Sequence, residues 1–286
     1  MMYEILLTIT FIALLIGSMT DIRTREVPDW LNYSLIFLGL GLRTTYSTIT
    51  NDWNFLLEGI IGLAAFFTLA MIMFYTGQWG GGDSKMMMGI GALVGMGYSF
   101  DHLPLLILFL VNLMIIGAAY GLVWSLALAI TRWKKFVENY KKISEDTKTV
   151  RRIILVTSLI ILIPALLVEE TSLKICFAGL AAITLLSYYM WAFAKAVEKS
   201  AMYRMVIPDK LTEGDWIAKE VNIKGKYICG PKDLGIEKKQ IQQLKKLYKQ
   251  NKIKEVLVKD GIPFVPSFLL AFIVTLMLGN WIILLF

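Results

Sequence analysis

The chain has 286 residues, of which 57% are hydrophobic, and its mean hydropathy is +0.63. This composition is too apolar for a water-soluble domain of that size. Apolar runs of roughly 20 residues, long enough to cross a bilayer, recur along the chain. A formal net charge of +7 would suggest nucleic-acid binding in a soluble protein. In a membrane protein, basic loops facing anionic cytoplasmic lipids explain it, so we expect lipids and not nucleic acid as partners.

The spacing of cysteine and histidine argues against disulfide and metal chemistry. The two cysteines, Cys176 and Cys229, lie far apart, one in an apolar run and the other in a polar segment. This arrangement disfavours a disulfide framework or a Cys-rich zinc site. His102 alone cannot form a histidine-based metal cluster. We therefore expect neither a cofactor nor a bound metal.

The apolar runs predict an all-α polytopic membrane protein with about six to eight transmembrane helices and a small α+β cytoplasmic domain near the C-terminus. The fourth run is short and rich in glycine, and Pro164 is expected to kink the sixth. The predicted spans are 3–20, 29–49, 54–76, 84–100, 103–131, 152–168, 172–194 and 264–286.

The distribution of Lys and Arg predicts the orientation. If the loops with Asp21 and Asp83 lie on one side and the spans alternate, every Lys and Arg except Arg43 and Lys174 falls on that side. The positive-inside rule makes this side cytoplasmic. We therefore expect a multi-pass cell-membrane protein whose two termini face outward.

These features divide the chain into five predicted segments. Residues 132–152 interleave aromatic and basic side chains, which predicts a basic amphipathic helix in the membrane interface, although a simple linker helix is also consistent. The segments are a catalytic transmembrane domain (1–131), the basic amphipathic segment (132–152), additional transmembrane helices (153–195), a small cytoplasmic domain (196–262) and the last span (263–286).

The 196–262 domain is predicted to combine strands with one amphipathic helix. We expect strands at 216–221, 226–229 and 255–259, with a turn at Lys224-Gly225 between the first two. The helix is expected over 236–250 because its apolar residues recur at helical spacing. About 65 residues form only a marginal core, so this domain is expected to lean on the membrane domain.

Two carboxylates at the ends of apolar runs carry the candidate chemistry. Asp21 follows the first span, and Asp83 follows the glycine turn Gly80-Gly81-Gly82. Acids at membrane helices are costly and are functional candidates. Two adjacent carboxylates sharing one proton provide the acid and the base that peptide hydrolysis needs. Alternatively, Asp21 pairs with a neighbouring arginine and Asp83 only caps a helix.

Neighbouring residues supply the expected supporting roles. Glycines at 80–82 allow unusual backbone angles and a close approach of chain segments. Lys85 would influence Asp83 or meet a lipid head group, and Arg23 would influence Asp21. Because Asp83 lies at a helix N-terminus and Asp21 at a helix C-terminus, helix dipoles favour Asp83 as the base and Asp21 as the initial acid.

With these motifs the chain resembles the archaeal prepilin and preflagellin peptidases, which are class III signal peptidases among the GxGD membrane aspartyl proteases. Asp21-x-Arg23 with Val27-Pro28-Asp29 is similar to the first aspartate motif of that family, and Gly80–Asp83 with Lys85 is similar to its GxGD motif. Residues 258–268, with Gly261-Ile262-Pro263-Phe264-Val265-Pro266, resemble the beginning of its last span.

The resemblance implies a membrane aspartyl endopeptidase with Asp21 and Asp83 as its catalytic pair. Its substrates would be precursors of pilins and flagellins, whose short basic leader is removed at the cytoplasmic face. Familiar archaeal members have about six spans, so residues 152–194 would hold an extra pair. The paired cysteine motifs of the methylating bacterial relatives are absent from the sequence, so we expect proteolysis alone.

Two other functions are consistent with parts of the sequence. A proton- or cation-coupled transporter would use Asp21 and Asp83 as a relay, but such acids usually lie near the middle of the membrane, within repeated segments. A membrane anchor would leave binding to the 196–262 domain, which should then keep its activity when expressed alone.

Overall fold

The computed structural model describes residues 1–100, 103–223 and 225–279. Across these ranges the chain is mainly helical, with short strands near its C-terminal end. The helices are α1 (Met2–Thr24), α2 (Asp29–Thr50), α3 (Asn54–Tyr75), α4 (Gly81–Val94), α5 (Leu105–Thr131), α6 (Trp133–Asp146), α7 (Lys148–Leu167), α8 (Thr171–Val197), α9 (Lys238–Lys249) and α10 (Val265–Leu278). The strands are β1 (Ser99–Phe100), β2 (Leu103–Pro104), β3 (Tyr203–Val206), β4 (Trp216–Ile217), β5 (Val221–Ile223), β6 (Lys226–Cys229) and β7 (Val256–Lys259).

The long apolar helices confirm a polytopic membrane protein. Within the described ranges, five helices are long and apolar enough to cross a bilayer: α1, α3, α5, α7 and the stretch Thr171–Met202, which includes α8. Helix α10 is a shorter apolar helix over its described residues. The strands and α9 confirm the small α+β region near the C-terminus.

Two predicted elements differ from the structure. The fourth span was expected to reach residue 100, but α4 ends at Val94, where Gly95 takes a φ of +68°. This left-handed conformation favours glycine and terminates the helix. The strand expected over 216–221 is split, because β4 pairs antiparallel with β7 whereas β5 pairs antiparallel with β6.

Glycines allow α4 to pack closely against α3. A Cβ atom added to Gly91 would lie 2.5 Å from the carbonyl oxygen of Gly62, a separation that real Cβ atoms do not adopt. The absence of a side chain at Gly91 therefore lets α4 approach α3 closely. On the opposite face, a Cβ on Gly89 would lie 2.7 Å from the Leu35 side chain of α2. Helix α4 is thus enclosed by its neighbours along most of its length.

Arg43 of α2 caps the C-terminal end of α4. Its side chain is completely buried, and it donates hydrogen bonds of 2.6–3.2 Å to the carbonyl oxygens of Phe55, Ala92, Leu93 and Val94. The last carbonyls of a helix have no partner within that helix, and three of these four belong to the last turn of α4. The Glu58 carboxylate lies 3.7 Å from the Arg43 guanidinium and accepts a hydrogen bond from the Tyr3 hydroxyl.

Helices α5 and α10 are joined by a polar contact inside the apolar core. The Asn112 side-chain amide donates to the Thr275 hydroxyl at 3.0 Å and to the Gly279 carbonyl at 3.3 Å. Because a buried amide without partners is costly, this pair of hydrogen bonds fixes the register between the two helices.

The small α+β region has its own hydrophobic core. The core includes Ile217, Ile228, Leu244 and Val258, which come from its strands and from the apolar face of α9. The Cys229 thiol is buried there, and this burial raises its pKa to about 11. Both Cys176 and Cys229 are free, as the sequence predicted.

By its internal contacts the chain forms two compact units, residues 1–122 with 206–286 and residues 123–205. The second unit contains the end of α5 together with α6, α7 and α8. Inside it, Phe136 of α6 stacks edge-on against Phe193 of α8 at 5.6 Å, and Ser158 of α7 donates to the Ala181 carbonyl at 2.8 Å. The apolar face of α6 therefore contacts α8, and its predicted place at a lipid surface stays a prediction.

These units have boundaries other than the five predicted segments, whose division into functional parts stays a prediction. Several predicted features lie outside the described residues. They are His102, Lys224 of the expected turn, and residues 280–286 of the last span.

The Arg43 cap leads to a stability prediction. Arg43→Leu leaves the four carbonyl oxygens and Glu58 without their buried partner, so the free energy of unfolding should fall by about 3–5 kcal/mol. Thermal unfolding in detergent measures this loss. Lys174→Leu is the control, because Lys174 is exposed and should change stability little. Equal stability of the two variants would show that the buried guanidinium contributes nothing.

Candidate active site

Asp21 lies in the last turn of α1 and is buried, with 6% of its surface exposed. The helix ends at Arg25, which takes a left-handed conformation with a φ of 61° and donates its backbone N–H to the Asp21 carbonyl at 2.9 Å. A non-glycine residue in this conformation is uncommon and ends the helix sharply. The Asp21 carboxylate is therefore presented at the end of α1, directly before the chain turns into α2.

The Asp21 carboxylate is bound by the beginning of α10. Its Oδ2 atom accepts a hydrogen bond from the backbone N–H of Val265 at 3.0 Å. Val265 is the first residue of α10, so its N–H has no acceptor within its own helix. The Arg25 side chain donates to the carbonyl oxygen of Gly261, four positions before Val265. The first aspartate motif and the segment leading into α10 are thus joined at two points.

Asp83 lies in the first turn of α4. Its Oδ2 atom accepts a hydrogen bond from the backbone N–H of Gly80 at 3.2 Å, which closes a capping box at the start of this helix. The helix-capping role considered from the sequence is therefore present. A capping hydrogen bond also fixes the orientation of the carboxylate, so it does not exclude a catalytic role.

The glycine turn departs from the expectation of unusual backbone angles. Gly80, Gly81 and Gly82 are absent from the glycines with positive φ, whereas Gly77 just before them has a φ of +70°. Gly80 has the extended conformation of a helix N-cap, with a φ of −70°. A close approach is confirmed at Gly82, where an added Cβ would lie 3.3 Å from the Val27 side chain. An added Cβ on Gly81 would meet only the Phe74 ring, at 3.9 Å.

Contacts between the two aspartate motifs place both acids at the same end of α1 and α4. Val27 packs against Gly82, and farther into the bundle a Cβ on Gly17 of α1 would lie 2.6 Å from the end of Met86 of α4. The charge of Asp21 also acts on Asp83. Within the described part of the chain, the hydrogen bonds of both carboxylates come from backbone N–H groups and not from each other. The two acids are therefore neighbours that do not share a direct hydrogen bond in this conformation.

Within the described ranges, neither of the two predicted supporting cations forms an ion pair with Asp21 or Asp83. Lys85 points to α2, where its ammonium lies 2.6 Å from the Asp29 carboxylate and 5.4 Å from the centre of the Tyr33 ring. Asp29 is therefore its ion-pair partner, and a contact of Lys85 with a lipid head group stays a prediction. Arg23 is exposed in the last turn of α1.

Two site residues, Trp79 and Val265, are not identified individually from the sequence. Trp79, directly before the glycine turn, is buried and packs its ring 5.5 Å from Phe268 and 6.3 Å from Phe264, both near the start of α10. Val265 is a second such residue. The 261–266 motif contains Val265 and includes Phe264, against which Trp79 packs. The sequence alone does not link this motif to either acid.

The donor groups at the site are consistent with chemistry by carboxylates. Among the described residues, no group of three or more His, Cys, Asp or Glu side chains is arranged to hold a metal ion. What the geometry provides is two carboxylates in the same region of the fold, each oriented by a helix N-terminus.

Comparison with known proteins shows which family the part of the chain around the site resembles. Residues 8–122 match the Type IV leader peptidase family. This range contains both Asp21 and Asp83, and the match confirms the resemblance inferred from the two motifs. No solved structure matches the chain.

Three curated relatives are preflagellin peptidases. That of Methanocaldococcus jannaschii is 37% identical over 94 residues, which are 33% of this chain and 40% of the relative. That of Methanococcus maripaludis is 42% identical over 84 residues, covering 29% and 36% of the two chains. That of Methanococcus voltae is 35% identical over 86 residues, covering 30% and 36%. The chain thus matches less than half the length of these relatives.

The unequal space around the glycines leads to a second prediction. In Gly82→Ala the added methyl group presses against Val27 and should displace the first turn of α4. The cleavage activity per folded molecule should therefore fall severalfold. Gly81→Ala has room and should match or exceed the stability of the unmodified protein, since alanine favours helices by about 1 kcal/mol over glycine. Thermal unfolding together with a cleavage assay checks both. Equal loss in the two variants would contradict the packing at Gly82.

Proposed function

We propose that this protein is a membrane aspartyl endopeptidase that removes the short basic leader of prepilin- or preflagellin-like precursors at the cytoplasmic membrane face. The observation that carries the proposal is that two carboxylates from separate motifs, Asp21 and Asp83, lie at the same end of α1 and α4. The match of residues 8–122 to a leader peptidase family supports the same reaction class.

The proposed mechanism needs only the two acids and water. The ionised carboxylate takes a proton from the attacking water, while the protonated one donates a hydrogen bond to the carbonyl oxygen of the peptide bond that is cleaved. Like charges at short distance disfavour double ionisation, so a close pair holds one proton near neutral pH. Since the two carboxylates do not hydrogen-bond to each other in this conformation, the mechanism includes a closing movement that brings them onto one substrate peptide.

The proposed substrates follow from the relatives and from the position of the acids. The curated relatives are named preflagellin peptidases. A precursor of this kind carries its cleavage site next to a hydrophobic segment. Acids at the ends of membrane helices are placed to reach a cleavage site in this position. A groove bounded by Phe74, Gly214, Leu234 and Gln240 lies beside the glycine turn and offers room for an extended leader.

The proposed orientation places the acids, the 196–262 domain and nearly all basic residues in the cytoplasm. Both termini then face outward, and anionic lipids would contact the basic loops. The alternative of a proton- or cation-coupled relay gains nothing from the structure, since both acids lie at helix ends and accept backbone hydrogen bonds.

The catalytic assignment predicts that either acid is indispensable. Asp21→Asn and Asp83→Asn should each reduce cleavage of a leader-bearing preflagellin by more than about 1,000-fold, because removing the acid or the base from a coupled pair abolishes proton transfer. Gel assays with the variants in liposomes measure this loss. Asp209→Asn, at an exposed acid of the small domain, is the control and should cleave normally. Normal cleavage by either catalytic variant would remove that residue from the proposed pair.

The orientation predicts which face of the membrane is labelled by an impermeant maleimide. In a Cys176→Ser, Cys229→Ser background, Asp52→Cys should react from outside intact cells. Asp209→Cys should react only after the membrane is permeabilised. Labelling of both positions from the same side, or in the opposite order, would contradict the proposed topology.

A further inference from the structure

We propose that the N-terminus of α10 holds Asp21 as the ionised, proton-accepting member of the catalytic pair, with the backbone N–H of Val265 as its positioning donor. This inference rests on the proposed peptidase function and assigns the two acids their separate roles. It reverses the assignment that helix dipoles predict from α1 and α4 alone.

The first step is the location of the donor. The Val265 N–H lies 3.0 Å from Asp21 Oδ2, and it belongs to the first residue of a helix of 14 residues. The next residue, Pro266, has no N–H and cannot replace this donor. The N–H of Phe264 acts on the same carboxylate. A helix N-terminus stabilises an anion through its unpaired N–H groups and its dipole.

The second step is the balance at Asp21 itself. The C-terminal end of α1 disfavours an anion in its last turn, which was the reason for expecting Asp21 to be the acid. Helix α10 presents its N-terminus to the carboxylate at hydrogen-bonding distance, and this opposes the effect of the C-terminal end of α1. Among the described residues, the charged or titratable groups that act on Asp21 include Arg25 of its own segment, Asp83 of α4 and Tyr120 of α5.

The third step is the comparison with Asp83. Asp83 accepts one backbone hydrogen bond, from Gly80 at 3.2 Å, and its neighbour Lys85 is engaged by Asp29. Asp21 has a shorter bond from Val265, a second backbone N–H close by and the positive charge of Arg25. The environment of Asp21 therefore stabilises a negative charge more strongly, and the shared proton belongs on Asp83.

The segment that carries the donor is held in place at both ends. Arg25 donates to the Gly261 carbonyl, and Trp79 packs against Phe264 and Phe268. Residues 260–264 also join β7 of the small domain to α10. The small domain is therefore covalently continuous with the group that positions the catalytic base.

The experiment removes one N–H and keeps every side chain. Val265 is replaced by 2-hydroxyisovaleric acid through a suppressor tRNA, so that a backbone ester takes the place of the donating amide. The full-length protein is placed in nanodiscs, and cleavage of preflagellin is measured from pH 4 to pH 9. The same suppressor carrying valine gives the matched control, and Val265→Thr changes the side chain while keeping the N–H.

The expected result is a shift of the low-pH limb of the rate profile. Without the donor the ionised form of Asp21 is less stable, so a higher pH is needed to produce the base. The midpoint of the limb should rise by about one to two pH units, with a loss of about tenfold or more on the acidic side and recovery at high pH. Val265→Thr should keep the original midpoint. If the ester protein does not fold, Val265→Pro removes the same N–H and is measured in its place.

Three results would overturn the inference. They are an unchanged midpoint in the ester protein, a uniform loss of rate at every pH, and a midpoint that moves to lower pH. Failure of the proposed function would be recognised separately, because the valine control would then not cleave the precursor at any pH.

Discussion

The hydrogen bond between the Asp21 carboxylate and the Val265 N–H connects the parts of this fold that are farthest apart in sequence. It joins the end of α1 to the beginning of α10, and both residues are buried. A buried carboxylate requires compensation for the lost water, and backbone N–H groups provide it at little entropic cost because the helix already holds them in place. The position of α10 and the charge state of Asp21 therefore depend on each other.

Arg43 has a corresponding role at the other end of the bundle. It replaces the missing hydrogen-bond partners of the last turn of α4, while Gly91 lets the same helix lie directly against α3. A helix fixed at both ends and enclosed on its sides has little freedom to move by itself. A change in the distance between the two acids is then more easily produced by α1 and α10, which have exposed surfaces, than by α4.

Much of this arrangement followed from sequence patterns with a direct physical cause. The helices agree closely with the predicted spans because long apolar runs have no other way to satisfy their backbone in lipid. The predicted end of α4 lies too far along the chain. The sequence does not reveal that Gly95 takes a positive φ next to the Arg43 side chain. The strand expected at 216–221 was divided because pairing partners, here β7 and β6, are set by tertiary contacts.

At the site, too, features of the local sequence were predictable, whereas contacts between distant segments were not. Asp21 and Asp83 could be identified as candidates because a carboxylate beside an apolar run costs free energy and is seldom present without a function. The partners of Lys85 and Asp21 were not identifiable, since Asp29 and Val265 reach them only after the helices pack. The proton assignment based on α1 and α4 omitted a third helix dipole for this reason.

The length of α4 has a consequence for the surrounding bilayer. Its 14 residues extend about 21 Å, whereas the hydrocarbon core is about 30 Å thick. A helix this short leaves its ends below the level of the lipid head groups unless the membrane thins around it. Asp83, in its first turn, would then lie below the lipid head groups, at the bottom of a depression that water can enter. Such a depression would let water reach the peptide bond of the proposed substrate, which lies beside a hydrophobic segment, while that segment stays in the lipid.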